Sequence, residues 1–152
     1  MTKTLFTIGY EKARPADVVA ALGAAGVATL IDVRDRPISR RPGFSKRQLA
    51  AAVEEAGIRY LHLQALGTPP EGRLAARRRD WPVFWDIVAR RLGSAEAEHA
   101  LLEAGAVAQE RPSCLLCYEA DWHFCHRRRV AEILAARHGL AVQHLAAAPA
   151  FE

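Results

Sequence analysis

The segment that most constrains the fold runs from Pro112 to Leu134. It opens with a short apolar run that ends at Tyr118 and has the length and composition of a buried β-strand. A polar and aromatic loop follows, and apolar residues then recur at helical spacing, which predicts a helix starting near Cys125. In open parallel α/β sheets, ligands bind where such a strand ends and the next helix begins. We therefore expect a ligand site around this loop.

The same alternation of strand and helix patterns extends along the chain. Further strands are predicted at 4–8, 29–33, 59–63 and 140–145, with amphipathic helical patterns between most of them. Alternating βα units favour a mostly parallel sheet with helices on both of its faces. At 152 residues, the chain has the usual length of one domain. We predict a single three-layer α/β domain over residues 1–152, with a loose tail at 146–152.

Local signals predict where several helices begin and end. Ser45 and Gln48 have the spacing of a capping box, and Ser94 is a candidate N-cap for a helix over 95–109. Gly139 is a candidate C-cap. The basic segment 68–80 has no clear periodicity, and we predict a mobile loop there.

Composition and targeting signals favour a cytoplasmic protein. The sequence has no apolar run near the length of a membrane span, and its first residues do not resemble a signal peptide. Three cysteines clustered in one segment do not form a secreted disulfide framework. We expect no membrane association.

Basic residues cluster in three windows. Of the 21 lysines and arginines, six lie at 34–47, four at 73–79 and three at 127–129. Arginine suits bidentate contacts with phosphate or carboxylate groups. Arg127, Arg128 and Arg129 in a first helical turn oppose the helix macrodipole, which favours negative charge there. Either an anion bound at this helix start removes the conflict, or the arginines extend into solvent and pair with Glu119, Asp121 or Glu132.

Polar side chains follow three of the predicted strands. Tyr10 follows the first strand and Asp32 and Arg34 close the second, whose basic loop carries Ser39 and Arg40. Parallel strands end at the same edge of a sheet, so we expect these groups to share a pocket with the third set. That set contains Cys117, Glu119, Cys125, His126 and Arg127. Asp32 either serves this site or forms a structural ion pair with Arg34 or Arg127.

The three cysteines differ in their expected roles. Cys114 and Cys117 lie three positions apart in a strand and should face opposite sides, so they should share neither a metal ion nor a disulfide. Cys125, at a helix start beside arginines, is a candidate nucleophile or a packed thiol. A metal site formed by Cys117, Cys125 and His126 is an alternative.

An ordered set of motifs gives the chain a family resemblance. These are Thr7 to Glu11, Leu30 to Arg34, Pro42 to Ser45, Tyr60 to Gly67, and Leu116 to Glu119 followed by Cys125-His126-Arg127. Together they resemble the family catalogued as Domain of Unknown Function 488. The resemblance implies an α/β fold and no settled activity.

The leading hypothesis is an enzyme-like protein that acts on a phosphate-bearing substrate, such as a nucleotide or nucleic acid. Substrate-binding residues would be Tyr10, Arg34, Ser39, Arg40, His126 and Arg127, and catalytic candidates would be Cys117, Cys125, Glu119 and Asp32. This hypothesis assigns no metal ligand, and the sequence identifies no cofactor. The alternatives are a non-catalytic nucleic-acid-binding module and the metal-binding protein described above.

Overall fold

Five strands and six α-helices alternate along residues 2–147, which the computed structural model of the protein describes. Their order is β1 (Thr4–Gly9), α1 (Pro15–Ala24), β2 (Thr29–Asp32), α2 (Lys46–Glu55), β3 (Arg59–His62), α3 (Pro70–Arg77), α4 (Trp81–Leu92), α5 (Ala95–Glu110), β4 (Ser113–Cys117), α6 (Arg127–His138) and β5 (Ala141–Ala146). Short 3-10 turns at Gln64–Leu66 and Trp122–Phe124 complete the secondary structure. The predicted strands are confirmed, with ends that shift by one residue or so.

The sheet is entirely parallel, with the order β3-β2-β4-β1-β5. Strand β4 therefore lies in the centre, where Cys117 pairs with Gly9 of β1 and Leu116 pairs with Asp32 of β2. The helices after β1 and β2 pack on one face, whereas α6, after β4, packs on the other. Neighbouring strands whose helices leave to opposite faces open a crevice at their carboxyl ends. The end of β4 has such a neighbour on both sides.

Alternating side chains divide the core into two layers, one on each face of the sheet. Along β4, Cys114 and Leu116 join the core beneath α1 and α2, while Leu115 and Cys117 join the core beneath α4, α5 and α6. Cys114 is buried and free, and its sulfur is not bonded to Cys117. The predicted three-layer architecture and the predicted separation of these two cysteines are therefore confirmed.

Gly9 allows the loop after β4 to pack against the end of β1. A Cβ atom on Gly9 would lie only 1.8 Å from the carbonyl oxygen of Glu119. The backbone of the next two residues continues the sheet pattern, because Tyr10 N–H donates to the Cys117 carbonyl (3.2 Å) and Glu11 N–H to the Tyr118 carbonyl (2.8 Å). The loop after β4 is thereby held beside Tyr10.

Three predictions of local structure are wrong. Residues 68–80 are not a loop, because Pro70–Arg77 forms α3, with a proline at its start and Ala75 in the core. Ser45 precedes α2 but makes no capping bond, since its hydroxyl accepts the Ser39 N–H (3.1 Å). Ala146 belongs to β5 rather than to a loose tail. The rest of that predicted tail, from residue 148 onward, lies outside the described residues.

Other predicted termini are confirmed. Ser94 Oγ accepts the Ala97 N–H (3.1 Å) at the start of α5, which ends one residue beyond the predicted limit. Gly139 ends α6 in the left-handed conformation, with φ at 65°. None of the helices in the described part of the chain is long and apolar enough to cross a membrane.

Candidate functional site

A cavity of about 900 Å³ lies at the carboxyl edge of the sheet. The loops after β1, β2 and β4 form part of its wall, and α3 and the start of α4 form another part. Seven of the side chains predicted to form the site line this cavity: Tyr10, Arg34, Ser39, Arg40, Cys117, Glu119 and His126. The other three, Asp32, Cys125 and Arg127, are buried behind the wall.

Asp32 positions Arg34 rather than reaching the cavity. Its fully buried carboxylate accepts hydrogen bonds from Arg34 N–H (3.1 Å), Nε (2.9 Å) and Nη2 (2.7 Å). Arg34 Nη1 also donates to Tyr10 Oη (3.2 Å) and to the Phe44 carbonyl (2.7 Å). Although burial opposes the charged form, the bonds to Asp32 leave the pKa of Arg34 above its ordinary value. The ion pair with Arg34 is one of the two structural pairs considered for Asp32.

A hydroxyl group completes the surroundings of this carboxylate. Tyr60 Oη donates to Asp32 Oδ2. Burial, followed by the charge of Asp32, raises the pKa of Tyr60, so that the phenol stays protonated. Asp32 is therefore fully buried and accepts hydrogen bonds from both Arg34 and Tyr60, which are contacts typical of a structural residue.

Arg127 is an interior residue and does not line the cavity. Its side chain is fully buried, and its guanidinium donates to Thr7 Oγ1 (3.1 Å), Cys117 Sγ (3.0 Å) and the carbonyls of Glu119 and Ala120. All three nitrogens are thus used within the protein. Burial lowers the pKa of Arg127 to about 10, which still leaves it charged at neutral pH. We therefore withdraw Arg127 from the set of anion-binding residues.

The other two arginines of this helix start extend outward. Arg128 Nε lies 3.4 Å and Arg129 Nη1 3.5 Å from the carboxylate of Glu132. The helix α6 begins at Arg127, with His126 as its N-cap, slightly later than predicted. The unfavourable charge at this helix start is therefore relieved by pairing within the helix and by the interior contacts of Arg127.

Cys117, Cys125 and His126 form one buried cluster beside the cavity. The two sulfur atoms form a disulfide bond in this structure, and one ring nitrogen of His126 completes a group whose members all lie within 4.8 Å of one another. His126 Nε2 donates to the Val33 carbonyl (2.7 Å), which leaves Nδ1 facing Cys125 Sγ at 3.9 Å. Burial lowers the pKa of His126 to about 4, so its imidazole is neutral at pH 7.

Glu119 brings a carboxylate to the same cluster. Its Oε2 lies 3.5 Å from Cys117 Sγ, and burial raises the pKa of this side chain above the usual value for glutamate. A carboxyl group with a raised pKa can exchange a proton near neutral pH more readily than an exposed one. Cys117, Glu119 and His126 therefore place a cysteine sulfur, a carboxyl and an imidazole on one wall of the cavity.

Positive charge dominates the cavity. Its lining contains five arginines against two carboxylates, those of Asp35 and Glu119. Arg73 is held by Asp35 (2.9 Å). The other three lining arginines, besides Arg34, are exposed and form no ion pair with any residue between positions 2 and 147; they are Arg36, Arg40 and Arg77.

Aromatic side chains line the rest of the cavity, and the sequence reasoning missed most of them. Trp81 of α4 stacks on Phe124 with ring centroids 4.7 Å apart, and Phe84 meets Trp81 edge-on. Phe124 and Tyr118 are each 45% exposed. In the sequence, these residues are visible only as an aromatic cluster at the start of α4 and as aromatic residues in the loop after β4. Nothing in the sequence alone indicated that the two segments meet.

The fold and the cavity define the class of protein: it is a parallel α/β protein with a cavity at the end of its central strand, β4. Arginine, aromatic, cysteine and histidine side chains line this cavity. The chain belongs to the family described as domain of unknown function DUF488, whose sequence model matches residues 14–134. The resemblance noted from the motifs is thereby confirmed. No curated protein and no solved structure matches the chain.

Proposed function

We propose that the protein binds a phosphate-bearing ligand with an aromatic base, a free nucleotide or a nucleotide unit of a nucleic acid, in this cavity. The observation that carries the proposal is the combination of exposed arginines that lack an ion pair with half-exposed aromatic rings in one open cavity. Clustered arginines without counter-charges favour anions. Exposed aromatic faces favour the stacking of a base.

The arginines and the aromatic rings would bind different parts of the ligand. Arg36, Arg40 and Arg77 supply guanidinium donors for phosphate oxygens. Arg34 forms part of the inner wall, but its three nitrogens already donate to Asp32, Tyr10 and Phe44, so it is not counted among these donors. The stacked Phe124 and its neighbours supply a flat apolar surface for the base. A ligand that carries only one of these groups would leave the other half of the cavity unused.

Catalysis is the second part of the proposal. Cys117, Glu119 and His126 line the same cavity, so in the reduced protein a bound nucleotide would lie beside a thiol, a carboxyl and a neutral imidazole. These are the residue types used for nucleophilic and acid–base chemistry. We propose that the ligand is a substrate on this ground.

The first test compares ligands by titration, with tryptophan fluorescence as the signal because Trp81 lines the cavity. A nucleoside monophosphate should bind more tightly than either inorganic phosphate or the nucleoside alone. Arg40→Ala and Phe124→Ala should each weaken monophosphate binding, by roughly 10-fold, since a charge-assisted hydrogen bond or a base stack contributes about 1–3 kcal/mol. Arg90→Ala, at an exposed arginine of α4 that does not line the cavity, is the control.

The second test separates the free nucleotide from nucleic acid and binding from turnover. A short single-stranded oligonucleotide is titrated at several salt concentrations, and the products of long incubations are analysed by mass spectrometry. If Arg90→Ala weakens oligonucleotide binding as much as Arg40→Ala does, and the monophosphate does not bind, a basic nucleic-acid surface replaces our proposal. If neither ligand binds, or Arg40→Ala and Phe124→Ala bind as the unmodified protein does, the proposal is wrong.

A further inference from the structure

The cluster behind the cavity wall has the donor set of a transition-metal site. Cys117 at the end of β4 and the adjacent Cys125 and His126 at the start of α6 bring two sulfur atoms and one imidazole nitrogen within 4.8 Å of one another. All three side chains are buried, Cys117 and Cys125 to 1% exposure and His126 to 8%. Two cysteines and one histidine are a common zinc ligand set.

The orientation of His126 supports this assignment. A carbonyl oxygen can only accept, so His126 Nε2 carries the proton in its bond to Val33, and Nδ1 keeps its lone pair. That lone pair faces the sulfur atoms. Metal-bound histidines usually have this arrangement, in which the second ring nitrogen donates to a carbonyl or carboxylate and fixes the ring.

The surroundings of Cys117 provide a second, independent line of support. Arg127 is fully buried, and none of the carboxylates between positions 2 and 147 lies within ion-pair distance of it. The carboxylates of Glu119 and Asp121 act on this guanidinium only through space. The one acceptor of Arg127 that can carry negative charge is Cys117 Sγ, at 3.0 Å. A thiolate ligand of a metal accepts this bond as a charged group, whereas a disulfide sulfur accepts it as a neutral one.

The backbone spacing also suits a shared metal ion. The Cα atoms of Cys117 and Cys125 lie 7.5 Å apart, which exceeds the usual range for disulfides. Two thiolates on one zinc ion are about 3.8 Å apart, from Zn–S bonds of about 2.3 Å in a tetrahedron. Rotation of the two side chains can open that space without moving the backbone closer.

We propose that Cys117, Cys125 and His126 of the reduced protein bind a thiophilic divalent metal ion such as Zn²⁺. The two thiols lose their protons to solvent when the metal binds, and the imidazole binds through Nδ1. Cys117 and His126 also line the cavity, so a fourth coordination position faces it. If the proposed function is correct as well, a metal there would polarise a phosphate oxygen of the bound ligand.

Metal uptake by the reduced protein tests the proposal. The full chain is reduced with a phosphine, freed of metal with a chelator, and incubated with Zn²⁺ or Co²⁺. We expect inductively coupled plasma mass spectrometry to find one equivalent of tightly bound metal per protein chain. Bound Co²⁺ should show the intense visible bands of a tetrahedral site and a thiolate-to-metal charge-transfer band.

Variants identify the ligands. Cys117→Ser, Cys125→Ser and His126→Gln should each weaken Zn²⁺ binding by at least about 100-fold in competition with a chromophoric chelator. Cys114→Ser is the matched control, because Cys114 lies in the same strand with its sulfur in the opposite core. Circular dichroism verifies the folding of each variant. Titrations of the unmodified protein in buffers of different protonation enthalpy should show about two protons released per metal, so the test does not depend on the variants alone.

Two results would overturn the proposal. One is a fully reduced protein that takes up no more metal than Cys117→Ser. The other is full metal binding by folded Cys117→Ser and Cys125→Ser variants, which would place the metal elsewhere. Nucleotide binding is measured separately on metal-free protein, so the failure of one proposal is distinguishable from the failure of the other.

Discussion

Truncation of Arg127 distinguishes a structural arginine from one that binds ligand. Arg127→Ala removes the only donor that contacts the carbonyls of Glu119 and Ala120 among the hydrogen bonds of the described residues. Thr7 also loses its hydrogen bond from Arg127, but its hydroxyl keeps a hydrogen-bond partner in His144 Nδ1 at 2.5 Å. The side chain is fully buried, so its truncation leaves an internal space beside these two carbonyls.

The expected loss of stability follows from these contacts. Each buried carbonyl left without a donor costs about 1–3 kcal/mol, so the two carbonyls together predict a loss of roughly 2–6 kcal/mol in the free energy of unfolding. The empty volume adds to this loss. For a chain of this size, each kcal/mol lowers Tm by about 2–4 °C, which predicts a shift of roughly 4–24 °C.

Urea unfolding and thermal melts measure the effect, with Arg129→Ala as the matched control. Arg129 is half exposed, lies two residues further along α6 and pairs only with Glu132, so its loss should cost under about 1 kcal/mol. Arg127→Lys keeps the charge but cannot present donors from three nitrogens, so it should remain destabilised. If Arg127→Ala has the stability of the control yet binds nucleotide more weakly, Arg127 is a ligand residue and our interpretation of it is wrong.

Two further predictions concern buried groups on the sheet. Asp32→Asn should lower the free energy of unfolding by about 3–5 kcal/mol, because Arg34 loses its buried counter-charge, whereas Asp86→Asn at the exposed pair with Arg90 should change it by under about 1 kcal/mol; equal effects in urea unfolding would contradict this. Cys114 should resist alkylation in the folded protein and react after unfolding, since burial raises the pKa of its thiol, and peptide mass mapping that finds it modified in the native state would refute the assigned burial.

The fold was largely predictable because its signals are local and repeated. Each predicted strand is a strand of the parallel sheet. Because side chains alternate along a strand, the three-residue spacing of Cys114 and Cys117 predicted that they lie on opposite faces of the sheet. Residues that directly follow strands were predictable as cavity residues for the same reason. Tyr10, Arg34 and Glu119 all line the cavity because parallel strands end at one edge.

Other features depended on contacts that sequence spacing does not encode. Helix α3 was missed because four arginines between residues 73 and 79 mask the few apolar side chains that reach the core. The stacking of Trp81 on Phe124 joins segments more than forty residues apart. Ser45 has the sequence of a cap, yet its hydroxyl bonds the preceding loop at Ser39 instead of the helix. At each of these positions, contacts between distant segments determine the structure, and local sequence patterns do not reveal such contacts.

The position of Arg127 shows why an anomalous charge does not by itself identify a ligand site. Its place at a helix start favoured an external anion over pairing within the protein, but the guanidinium points inward and donates to the sulfur of Cys117. The charge still requires compensation, and the group able to provide it belongs to the protein. The state of Cys117 therefore affects both stability and chemistry. If metal binding makes that sulfur a thiolate, it should also stabilise the fold through Arg127, and this gain should shrink in Arg127→Ala.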